Sequence, residues 1–289
     1  MATIYLPATI KGQSSESMGI NNFSPRAGAT AAYFLCLLLV LVYVNMFPIW
    51  KYLSTILKDI FFVILPPVIL GLFIGGVLWL RLKIRQTSRS LDKTSIGIGI
   101  LICCIGLLST DPDFPIKRVH VFEYAFLCLV ARYAMSHFLD GLPLLFFSAC
   151  FGALLGIHDE FLQGLHPART YGLRDMGVNM LGSFGGGLIW HGLHLFSLER
   201  PSTVDRADVY FLGWLLVAVL LLVWPAVYYR GLVVEIWVAL PLLAAPAYYF
   251  IYRKSFSKKL SHGISAVTAA AVSLVIYPFL TKLPGIVFY

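Results

Sequence analysis

Long apolar runs alternate with short polar ones along the chain, and the runs set its architecture. The first holds no charged residue over 24 positions, Ala27 to Trp50. At 1.5 Å per residue, such a run exceeds the roughly 30 Å of a bilayer's hydrocarbon core. The pattern predicts nine helical segments, at 29–50, 56–80, 94–110, 118–139, 142–158, 175–197, 208–229, 232–252 and 264–281. Periodicity adds little, because buried and lipid-facing sides of such helices are both apolar. The pair Pro66-Pro67 is expected to kink the second segment, since proline removes backbone donors. Gly71 and Gly75, Gly152 and Gly156, and Gly182 and Gly186 each stand four residues apart, the step that lets helix backbones approach closely. The glycines at 182, 185, 186 and 187 would weaken a helix that had no close neighbour. The expected fold is all-α: a polytopic transmembrane helix bundle with about nine spanning helices.

Composition agrees. Charged residues make up 12% of the 289 residues, against about 25% in soluble domains, and mean hydropathy is +0.82. No stretch offers the material for a soluble domain. The net charge of +8 is therefore not a nucleic-acid footprint. It reads as orientation by positive cytoplasmic loops. With the N-terminus inside, the strongest contributors, 81–93 and 253–259, are cytoplasmic. Lys117 and the 158–175 segment then lie at the outer face. Cys36, Cys103, Cys104, Cys128 and Cys150 all sit in apolar runs, read as small core residues, and imply no disulfide framework. Residues 1–28 are polar and read as a mobile cytoplasmic tail without a removable signal peptide.

One stretch breaks the avoidance of charge. Between Lys117 and Gly187 the chain places His120, Glu123, Asp159, Glu160, Gln163, His166, Arg169, Asp175 and Asn179 beside membrane-length runs. Polar groups in that position are costly and point to function. Lys117, His120 and Tyr124 stand at i, i+3 and i+7, with Glu123 three residues after His120, in the first turns of one helix. Asp159 and Gln163 are one turn apart at the end of the next helix, with Glu160 beside Asp159. Asp175, Asn179, Gly182 and Gly186 form one stripe of a third, and Asp175 suits a helix start. Arg169 lies in the preceding loop with its guanidinium fork free.

Three readings remain open. In the first, Arg169, Lys117 and His120 hold an anionic headgroup, while Glu123, Asp159 and Glu160 hold a metal, a cation or a hydroxyl-rich head. In the second, Glu123 or Glu160 is a general base with His120 as its partner. In the third, Asp175, Arg169 and Glu160 neutralise one another and merely pin a loop. Templates for a zinc protease, a serine hydrolase elbow, a P-loop or a dinucleotide fold are missing, so neither a metal nor a cofactor is expected. Outside the cluster, Arg132 is expected to snorkel inward or pair nearby. His191 and His194 are expected to pack, Asp111-Pro112-Asp113 to form a turn, and Glu235 to pair with Arg230.

The motifs KxxHxxEY at 117–124, DExxQ at 159–163, HPAR at 166–169 and DxxxNxxGxxxG at 175–186 closely resemble the VanZ-like family of bacterial membrane proteins. The matched positions are Lys117, His120, Glu123, Tyr124, Asp159, Glu160, Gln163, Pro167, Arg169, Asp175, Asn179, Gly182 and Gly186. Ala168 departs from the family's usual glycine. The likeness covers about residues 94–196. It implies a plasma-membrane protein of the bacterial envelope, a link to susceptibility to teicoplanin-type glycopeptides, and no agreed reaction. The domain layout expected is a tail (1–28), a two-helix segment with a basic loop (29–93), a VanZ-like four-helix unit (94–197) and a three-helix extension (198–289). The expected partner is a membrane lipid or lipid-linked envelope precursor. The extension offers a surface for a second membrane protein.

Overall fold

The computed structural model describes residues 25–86, 90–112, 115–166, 169, 171–197, 205–228 and 232–286. The N-terminal tail to residue 24 lies outside the described residues, as do Asp113, Pro167, Ala168 and Arg230. Everything described is helix or connection, with no strand. The helices are α1 (Pro25–Val44), α2 (Met46–Gln86), α3 (Lys93–Ser109), α4 (Val119–Met135), α5 (Gly141–Gly164), α6 (Leu173–Gly192), α7 (Arg206–Tyr228), α8 (Leu240–Tyr252), α9 (Ser261–Ser273) and α10 (Ile276–Leu280). Among the described residues, five stretches are long and apolar enough to cross a membrane: 26–44, 141–164, 206–228, 236–255 and 261–280. Leu108, Phe34, Ile251 and Trp237 are all more than 65% exposed, as lipid-facing side chains would be.

Several boundaries differ from those the pattern predicts. The first apolar run is divided: α1 stops at Val44, where Asn45 turns its side-chain amide onto the Leu41 carbonyl at 2.8 Å. The break in α2 falls at Lys58 (φ 45°, ψ −129°), while the helix runs on through Pro66-Pro67. Just before that break, Ser54 and Thr55 hydroxyls donate back to the Lys51 carbonyl, a bond that bends helices. Most relevant to the site, α5 continues six residues beyond the expected end at 158, so Asp159, Glu160 and Gln163 are helical.

The packing centre is α6, which lies against α3, α4 and α5. α1 covers α4 and α5, and α9 packs on α5. The glycines explain the closeness. A Cβ on Gly182 would stand 2.6 Å from the Val121 carbonyl oxygen, and one on Gly99 would stand 2.6 Å from the Gly185 oxygen. Only hydrogen fits where one backbone meets another.

The α3 start carries a helix cap. Asp92 accepts from the backbone N–H groups of Thr94 and Ser95, each at 3.1 Å, and from the Ser95 hydroxyl at 2.6 Å. The Ser95 hydroxyl, with the two backbone groups, holds this carboxyl below its ordinary range. A depressed folded pKa stabilises above the unfolded value, about 3.9, and that stability is lost as pH falls through the folded value. Asp92→Ala is therefore expected to lower thermal stability at neutral pH. The difference from wild type should shrink as the pH of unfolding is lowered through the depressed folded value of this carboxyl.

Candidate functional site

Three helices bring the polar residues together. A short 3-10 turn, Pro115–Arg118, leads into α4 and sets Lys117 across from the start of α6. Lys117 Nζ stands 2.6 Å from Asp175 Oδ2. His120 Nδ1 lies 2.9 Å from Glu123 Oε2, and both side chains are about nine-tenths buried. From α5, Gln163 donates to Asp159 Oδ1 at 3.1 Å, and Arg169 donates in turn to the Gln163 amide oxygen. Asn179 donates to the Gly156 carbonyl at 3.2 Å, joining α6 to α5. Asp159 senses the charges of both His120 and Glu123. Glu160 senses Asp159, Asp175 and Lys117. These residues form one electrostatic unit.

The hydrogen-bond accounting shows what the unit lacks. Buried oxygens without a hydrogen-bond partner are Glu123 Oε1, Asp159 Oδ2, both carboxylate oxygens of Glu160, Asn179 Oδ1, and the hydroxyls of Tyr124 and Ser183. Tyr124 faces Asp159, and the Gly172 backbone faces Glu160, but neither reaches hydrogen-bonding geometry. Buried polar atoms are otherwise almost always paired, and an unpaired one costs about 1–3 kcal/mol. Four of these seven oxygens belong to carboxylates, and all seven can accept. The site is built to receive hydrogen-bond donors.

This revises two expectations. Arg169 does not present a free fork, because Gln163 engages it. The mutual neutralisation of Asp175, Arg169 and Glu160 is replaced by separate pairs, Lys117 with Asp175 and Arg169 with Gln163. The reason is the extra length of α5, which lifts Gln163 to the loop and keeps Glu160 under it. His166 stays outside, exposed on the turn after α5. Among the described residues, no three His, Cys, Asp or Glu side chains converge with metal-ligand geometry.

Sequence reasoning missed Tyr43. From α1 its hydroxyl donates to the Glu123 carbonyl at 3.1 Å, and its ring packs edge-on against Tyr124, with centroids 5.8 Å apart. One tyrosine in a 24-residue apolar run carries no signal of a site. Ser183 was equally silent, and it lies against Gly152 of α5.

Other polar residues do structural work. His158 turns away from the cluster and ties α5 to the C-terminal helices. Its Nδ1 lies 3.0 Å from the Tyr277 hydroxyl, and its Nε2 lies 2.9 Å from the Ala270 carbonyl. Arg132 does not snorkel. It is fully buried, with Nε donating to the Leu195 carbonyl at 2.7 Å and both terminal nitrogens without a hydrogen-bond partner. His194 meets the Ser90 carbonyl at 3.0 Å. Asp111 stands 3.6 Å from Arg174. Glu235 pairs with Lys282 at 3.5 Å.

Comparison with known proteins identifies no relative: no family model matches the chain, and neither does any curated protein or solved structure.

Proposed function

We propose that the chain is a VanZ-like protein of the bacterial plasma membrane, crossing it about nine times with its N-terminus in the cytoplasm. Its α4–α5–α6 cluster, at the outer face, binds the polar head of a membrane lipid or lipid-linked envelope precursor. One observation carries this reading: four unpartnered carboxylate oxygens, on Glu123, Asp159 and Glu160, are buried together between apolar helices. Protein donors do not satisfy them, so a head bearing N–H or O–H groups does. Lys117 and Arg169 are engaged by Asp175 and Gln163. The head is therefore recognised mainly through its donors.

Native mass spectrometry in mild detergent tests this. The wild type is expected to retain a discrete lipid or glycolipid adduct, which Glu123→Gln and Glu160→Gln lose. Folded wild-type protein without any such adduct would sink the proposal. A change in teicoplanin susceptibility on deletion would tie the site to the envelope role that the family resemblance suggests.

The His120–Glu123 contact favours a second reading, an interfacial enzyme in which Glu123 takes a proton from substrate and His120 positions it. An amide in place of Glu123 would then abolish turnover of the bound lipid while leaving the adduct in place. Loss of the adduct itself, with no product ever formed by wild type, points back to binding.

A further inference from the structure

We infer that the ligand of the site proposed above is an amphiphile with a primary ammonium head held at Glu160, its apolar chain lying in a groove between α5, α6 and α7. This rests on the reading of the cluster as a lipid-head site and adds to it the head's charge and the place of the tail.

The groove has a volume of about 730 Å³. Its walls are apolar side chains, among them Phe146 and Leu154 of α5, Met180 and Phe184 of α6, and Leu216 and Leu220 of α7. Along α5 it runs from Leu142 to Ile157, a rise of about 22 Å. That accommodates an acyl chain, which covers half of the roughly 30 Å hydrocarbon thickness.

Glu160 lies one helical turn beyond the groove's α5 wall. Ala153 and Ile157 line the groove, and Glu160 follows them at i+7 and i+3, on the same helical stripe. At the same end, Leu173 lines the groove, next in sequence to the Gly172 backbone that faces Glu160. Glu160 is 1% exposed, and neither of its oxygens has a hydrogen-bond partner. An apolar trough ending in an unpaired buried carboxylate is complementary to a chain that ends in a cation.

Charge selects ammonium over hydroxyl. Lys117 pairs with Asp175 and His120 with Glu123. Among the described residues Asp159 and Glu160 have no ion pair, and the Arg169 charge, held on the neutral Gln163 amide beside Asp159, offsets one of the two, so one buried carboxylate remains to be balanced. An ammonium supplies both the charge and up to three N–H donors.

Two glycines make the groove testable. A Cβ on Gly177 or Gly213 would meet nothing within 4 Å, and both residues line the groove. Gly177→Phe with Gly213→Phe therefore places two rings in the groove from positions where the Cβ itself meets no neighbour. The probes are phosphatidylethanolamine and phosphatidylcholine, each with a photoactivatable diazirine on its acyl chain, in nanodiscs containing the purified full chain. Ethanolamine carries N–H donors, and choline carries none.

In wild type, phosphatidylethanolamine is expected to label the α5 and α7 groove peptides at least fivefold more than phosphatidylcholine. The double phenylalanine variant should lose at least four-fifths of that labelling at unchanged melting temperature. Glu160→Gln should equalise the two lipids while the groove still labels. Undiminished labelling in the double variant, or equal labelling by both lipids in wild type, overturns the inference. Failure of the underlying site reading looks different: Glu123→Gln and Glu160→Gln would then leave every adduct seen by native mass spectrometry unchanged.

Discussion

Gly186→Val is expected to break the core of the protein, whereas Gly177→Val in the same helix is tolerated. A Cβ at 186 would stand 2.6 Å from the Ala125 Cα and 2.7 Å from its Cβ, so α4 and α6 would have to move apart. A Cβ at 177 meets open space. Both positions lie inside α6, so the intrinsic cost of valine in a helix is the same and cancels in the comparison. Overpacking of this kind costs about 1–3 kcal/mol, and more where backbone must shift. Because α6 also carries Asp175 and Asn179, displacing it disassembles the polar cluster too. Thermal unfolding in detergent checks this. A marked drop for Gly186→Val with little change for Gly177→Val is the expected pair, and equal melting temperatures would refute close α4–α6 packing.

The second large effect concerns Glu160→Gln, where stability and binding should move in opposite directions. Burying a carboxylate is costly unless it is paired, and neither Glu160 oxygen has a partner in the protein. The amide keeps the shape and removes the charge, so the ligand-free protein should melt at the same temperature or higher. A hydrogen bond to a charged group contributes about 1.5–3 kcal/mol, and each 1.4 kcal/mol is about tenfold in affinity. Binding of the head should therefore weaken by roughly ten- to a hundredfold. A residue that merely held helices together would behave otherwise, since its replacement would lower the melting temperature and leave affinity untouched. Measuring both quantities on one preparation separates the two roles.

The membrane character and the residues of the cluster were legible in the chain because both rest on composition. Apolar runs of sufficient length leave few alternatives to membrane helices, and the all-helical fold follows from that. Lys117, His120, Glu123, Tyr124, Asp159, Glu160, Gln163, Arg169, Asp175 and Asn179 stood out as costly exceptions in such surroundings. The small-residue steps at 152, 156, 182 and 186 likewise announced close packing. What the chain could not show was who pairs with whom. Asp159 and Gln163 could be placed one turn apart at a helix end, but only the structure shows α5 continuing to Gly164 with Asp159, Glu160 and Gln163 buried inside it. Arg169 reads as a free cation until Gln163 is placed beside it, and Lys117 until Asp175 is.

Sequence alone therefore determined the apolar, all-helical character and the inventory of polar groups, since each depends on local composition. Tertiary structure alone decided the pairing, the entry of Tyr43 from α1, the burial of Arg132 and the groove behind Glu160. Those depend on distances between helices far apart in the chain, and no local pattern encodes them.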